Sequence, residues 1–150
     1  MDSKVNNLIK KIEIILNEHG NHFWYLMKGN KPKLIVKGNQ KSKIKLKEKI
    51  IKNPSKYKNK DFIFVKINIG DSGMFSAGQI SVLCYPMKFN SDYDIVQDPN
   101  ENRGKTIWFS DQEILDGKFS FKCIKKIINN IYANKIDMNP FNITTISQIN

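Results

Sequence analysis

Arginine is almost missing from this chain: Arg103 is the only one among 25 basic residues. Guanidinium forks are the usual readers of base edges, so sequence-specific recognition in a nucleic-acid groove is disfavoured from the start. Cysteine is equally scarce. Cys84 and Cys123 stand far apart, which excludes a disulfide framework and gives no zinc-ligand spacing. Histidine is limited to His19 and His22. No apolar run has the length of a membrane span, and Lys10, Lys11 and Glu13 interrupt any secretory core near the N-terminus. The expectation is a cytoplasmic protein with reduced thiols. Aromatic residues are absent from residues 26–56, although they occur along most of the remaining chain.

That aromatic gap coincides with the positive charge. Residues 28–60 carry thirteen lysines and one acid, Glu48. This stretch holds +12, residues 1–27 are neutral and residues 61–150 carry −1, so the net +11 is local. Its centre alternates: Lys41, Lys43, Lys45, Lys47 and Lys49 are separated by Ser42, Ile44, Leu46 and Glu48. In an extended strand running to Lys49 all five ammonium groups would project from one side, and period two predicts a strand for 41–46. Leu46, Ile50 and Ile51 also suit a short helix ending before Pro54, and residues 46–53 stay open between helix and strand. Two strand residues rise about 6.7 Å, close to two phosphate steps of about 3.4 Å, so the tract has the spacing to follow a phosphate backbone. Lysines also protect edge strands from pairing with other chains. The lysine, asparagine and isoleucine bias matches AT-rich coding sequence, so the position of the lysines says more than their number.

Length sets one domain, since 150 residues bury roughly 70% of the surface that the unfolded chain exposes. Residues 3–18 predict a helix, with Ser3 to cap it, Gly20 to stop it, and an apolar stripe of Val5, Leu8, Ile9, Ile12, Ile15 and Leu16. Residues 22–28 and 34–36 form a hairpin around Gly29-Asn30-Lys31-Pro32. Strands follow at 62–67, 80–84, 93–96 and 106–109. Ser110-Asp111-Gln112-Glu113 has the pattern of a helix capping box. A last helix covers about 119–133, with Phe119, Cys123, Ile124, Ile127, Ile128, Ile131 and Tyr132 on one face. The tail from about 134 is polar, either docked or flexible. The fold class is α+β: an N-terminal helix, an antiparallel sheet of about five or six strands, and a C-terminal helix packed on one face.

Candidate chemistry is sparse. His19 and His22 have the spacing of two metal ligands but lack further ligands, and as an acid/base pair they would suit a metal-independent ribonuclease. At a helix C-terminus a histidine also serves the helix dipole. Gly70-Asp71-Ser72-Gly73 resembles the tetrapeptide around the chymotrypsin-type nucleophile. Met74 follows where that family has another glycine, however, and the chain is too short for two barrels. The loop reads instead as a connection presenting Met74 and Phe75 to a partner. An acidic pole, Asp92, Asp94, Asp98, Glu101, Asp111, Glu113 and Asp116, opposes the lysine tract. It serves a partner of mixed charge or pairs internally with the lysines.

The sequence thus points to a small non-enzymatic binding protein without cofactor or metal. Inhibitors and immunity proteins of mobile genetic elements, which engage a toxin or defence effector, share its size and coding bias. The expected partner is an acidic protein met by Lys41, Lys43, Lys45, Lys47, Lys49, Met74 and Phe75, with no membrane involved. Nucleic-acid binding through the lysine tract is the first alternative, and a small nuclease the second.

Overall fold

The computed structural model describes residues 3–29, 31–57, 60–70, 80–89, 94–97, 105–132 and 144–145. In chain order the elements are α1 (Ser3–His19), β1 (His22–Lys28), β2 (Lys31–Gly38), α2 (Ser42–Lys52), α3 (Pro54–Tyr57), β3 (Asp61–Ile69), β4 (Ile80–Phe89), β5 (Ile95–Gln97), β6 (Lys105–Phe109), α4 (Asp111–Leu115), α5 (Phe121–Tyr132) and β7 (Thr144–Thr145). The sheet runs β2-β1-β3-β4-β6-β7, and β5 pairs with the far end of the β4 edge that also carries β6. Every pairing is antiparallel except β6 with the two-residue β7. The chain is therefore an α+β protein of the expected kind.

Strand alternation sorts the core into two clusters. On one face Phe23, Tyr25, Ile63, Val65, Val82, Cys84 and Ile107 meet Val5, Ile9 and Leu16 of α1 and Ile124, Ile127 and Ile128 of α5. Of the predicted helix stripes, Ile12 is only partly buried and Ile15 stays exposed at the margin. The Ile131 side chain lies outside the described residues. Trp24, Leu26 and Phe62 point to the opposite face and pack with Val36, Leu46, Ile50, Tyr57 and Ile95. β1 is buried on both faces, which explains its unbroken apolar run from Phe23 to Met27.

The lysine tract is a helix, contrary to the strand expected over 41–46. Ser42, Leu46 and Ile50 recur every fourth residue, and all three are buried against the sheet. At about 100° per residue they make one stripe, flanked by Lys43 and Lys47 on one side and Lys41, Lys45 and Lys49 on the other. Burying Leu46 and Ile50 contributes roughly 1.5–3 kcal/mol each, more than any preference of exposed lysines for one backbone conformation. The indole Nε1–H of Trp24 donates to Ser42 Oγ at 3.0 Å and fixes the first turn of α2 on the sheet.

Other local signals hold. Gly20 has φ +86° and its N–H donates to the Leu16 carbonyl, ending α1. Ser110 and Glu113 form the full capping box, with Ser110 Oγ accepting from Glu113 N at 3.1 Å and Glu113 Oε1 from Ser110 N at 2.8 Å. β2 is an outer strand of the sheet, blunted by Lys31, Pro32, Lys33 and Lys37. Lys49 adds to this by donating its Nζ to the Ile35 carbonyl at 2.9 Å. Among the described residues no helix is long and apolar enough to cross a membrane.

Candidate functional site

Two chain reversals, α1 into β1 and β2 into α2, converge at one end of β1. The Gly20 stop brings the end of α1 against the end of β2 so closely that a Cβ on Gly20 would overlap the Gly38 carbonyl. Asn21 then ties β1 to β3: its carbonyl accepts from Ile67 N at 3.0 Å, and its Nδ2 donates to the Ile67 carbonyl at 3.2 Å. Asn39 Oδ1 accepts from Lys41 N at 2.9 Å and turns the chain into α2. Between these turns lies a cavity of about 770 Å³. α1 lends it Glu13, Asn17 and His19; β2 and the following turn lend Lys37 and Asn39; α2 lends Lys45. The walls are polar and carry both signs of charge, which suits a hydrogen-bonding ligand or a polar side chain of a partner.

His19 and Lys37 meet at the rim, with Lys37 Nζ 3.3 Å from His19 Nδ1. An ammonium group only donates, so a hydrogen bond between the two has Nδ1 as its acceptor. His22 belongs elsewhere. It shares the sheet face of Trp24 and stacks edge-on against Phe64, centroids 5.2 Å apart. Burial, reinforced by the Lys66 charge, lowers its pKa. The two histidines suggested as a pair therefore serve different surroundings. Among the described residues no cluster of three or more His, Cys, Asp or Glu is placed to hold a metal ion. Burial pushes the Cys84 thiol up to about 12 and also raises that of Cys123, so neither is an activated nucleophile.

The five alternating lysines are dispersed by the helix. Lys43 and Lys47 reach Asp94 Oδ1 at 3.7 and 3.1 Å, so one member of the acidic pole pairs internally with the tract. Hydrogen bonding from Lys47 and from the Ile95 N–H holds the Asp94 carboxyl below its usual range. Lys45 faces the polar cavity, Lys49 caps β2, and Lys41 occupies the N-cap position of α2 without a side-chain cap. Met74 and Phe75 lie outside the described residues.

A different cationic cluster escapes the period-two pattern. The β1–β2 register pairs Lys28 with Lys31 and Leu26 with Lys33, so Lys28 and Lys33 are diagonal neighbours on one sheet face. Lys33 lowers the Lys28 pKa most strongly, with Lys56 and Lys60 adding to the repulsion. Among the described residues no carboxylate lies within ion-pair distance of these four. Reading the hairpin register from Gly29 would have found Lys28 and Lys33 in the sequence. Nothing local places Lys56 and Lys60 beside them, because α2 and α3 carry the chain back.

No protein-family model matches this chain, nor does any curated protein or solved structure.

Proposed function

We propose that this chain is a non-enzymatic binding protein that engages an acidic protein partner through the basic end of its β1–β2 hairpin and α3. The observation that carries the reading is Lys28 beside Lys33, Lys56 and Lys60, with no described carboxylate to offset them. Like charges held together oppose folding, and an acidic surface laid on them relieves that repulsion while steering association. The inhibitor or immunity type, acting in the cytoplasm on a toxin or defence effector, suits a small domain of this charge distribution.

Nucleic acid is the second reading. It draws on the same lysines together with Phe64 and Tyr85, half-buried rings 6.5 Å apart on the sheet face that α2 leaves partly open. Purification at low salt, with mass spectrometry and the 260/280 nm absorbance ratio of the eluate, separates the two. A stoichiometric acidic protein released by salt supports the proposal. Bound nucleic acid without such a protein replaces it by the second reading.

A further inference from the structure

A second cavity, of about 630 Å³, opens at the β2 edge of the sheet, between α1 and α5. Phe23 and Tyr25 of β1 form its floor and Phe121 of α5 one wall. Ile15 of α1 and Leu34 of β2 border it, each 38% exposed. The rim is cationic: Lys37 from β2, and Lys122 and Lys125, three residues apart on α5. Among the described residues no carboxylate lines this cavity. It thus differs in kind from the polar cavity, where Glu13 and Glu18 accompany the cations.

An apolar cleft with a one-signed rim selects a molecule that is apolar along its length and acidic at one end. The volume falls within the range of about 300–1,000 Å³ that small-molecule sites occupy. We propose that this cleft binds a free, monomeric long-chain carboxylate, with the chain on Phe23, Tyr25 and Leu34 and the head group at Lys122 and Lys125. Long lysine stems let the ammonium groups follow the head group while their methylenes cover the chain. Tyr25 contributes a neutral surface: a phenol is already protonated near pH 7, and burial pushes its pKa further up, to about 12. This site lies on the opposite sheet face from Lys28 and Lys33, so it stands or falls independently of the proposed protein partner.

The test is calorimetric titration of the full chain with dodecanoate below its micelle concentration, with dodecanol as the neutral control. Saturable one-to-one binding of dodecanoate is expected, at least tenfold tighter than dodecanol. Each methylene removed from the chain should weaken it about three- to fourfold. Lys122→Glu/Lys125→Glu, an exposed pair whose replacement spares the core, should weaken dodecanoate at least tenfold and leave dodecanol unchanged. Leu34→Glu should weaken both, whereas Lys28→Glu/Lys33→Glu should affect neither. Equal affinity for the alcohol, or binding indifferent to both the Lys122/Lys125 and Leu34 variants, overturns the proposal. So does a concentration-dependent dimer that Leu34→Glu dissolves, because the cleft would then receive a second copy. Binding confined to anionic vesicles, with none to the free acid, overturns it as well.

Discussion

The Trp24 indole donates to Ser42 Oγ across 3.0 Å of buried space, and this bond joins the sheet to the helix that carries the alternating lysines. Ser42 is 1% exposed and Trp24 3%, so water cannot replace either partner. Ser42→Ala should leave the indole N–H unsatisfied and cost about 1–3 kcal/mol in a denaturant melt. Leu46→Ala, four residues on, should cost about 2–5 kcal/mol. Changes under half the lower figure in both variants would mean that α2 is not docked as described.

The same pair shows where the sequence was legible and where it misled. Ser42, Leu46 and Ile50 form a helical stripe visible in the sequence, but Lys41 to Lys49 overlay a period-two pattern of stronger contrast. Exposed lysines cost little in either conformation, so their spacing carried no structural information, whereas the buried stripe did. Signals enforced by the backbone were reliable: the Gly20 stop and the Ser110–Glu113 capping box appear as read, and the hairpin at Gly29 forms with a tighter turn, β2 beginning at Lys31 instead of after Pro32. The candidate sites were less legible. The Lys28–Lys33 contact follows from hairpin register, but Lys56, and the approach of Phe121 to Phe23, depend on packing between distant segments.

Gly20 offers a backbone test. Its φ of +86° alone should cost a non-glycine residue about 1–3 kcal/mol. Overlap with the Gly38 carbonyl adds to that, because backbone cannot swing aside. Gly29 has φ +62° but nothing within 4 Å of its Cβ position. Gly29→Ala should therefore be clearly milder than Gly20→Ala in thermal melts. Equal losses would argue against the close approach of α1 and β2.

His22 sets a pH dependence with a definite sign. Its folded pKa lies below the ordinary histidine value of about 6.5, first through burial and then through Lys66. Between the two pKa values the unfolded chain binds more protons, so stability rises with pH through that window and declines as pH falls below about 6.5. The His22 ring signals in an NMR titration should move at a midpoint below 6.5, and His22→Gln should remove that part of the stability slope. A midpoint above 6.5 would contradict the half-buried placement against Phe64.

The proposal of binding without chemistry also yields an expectation. His19 contacts Lys37 and His22 contacts Phe64, so no pair of imidazoles faces a common ligand. Purified protein should leave single-stranded RNA and DNA intact, and His19→Ala/His22→Ala should keep its partner binding. Cleavage by the parent that vanishes in a well-folded double variant would establish a nuclease.

The most direct measurement of the central claim is the salt dependence of partner affinity, for the parent and for Lys28→Glu/Lys33→Glu/Lys56→Glu. These exposed positions leave both core clusters untouched. For duplex DNA with about four phosphates neutralised, log affinity falls against log salt with a slope of about −3.6. An acidic protein partner should give a shallower slope, and the triple variant should lose binding at least tenfold at physiological salt. Undiminished affinity of the triple variant for its protein partner, or a slope near −3.6 with nucleic acid as the ligand, would contradict the account.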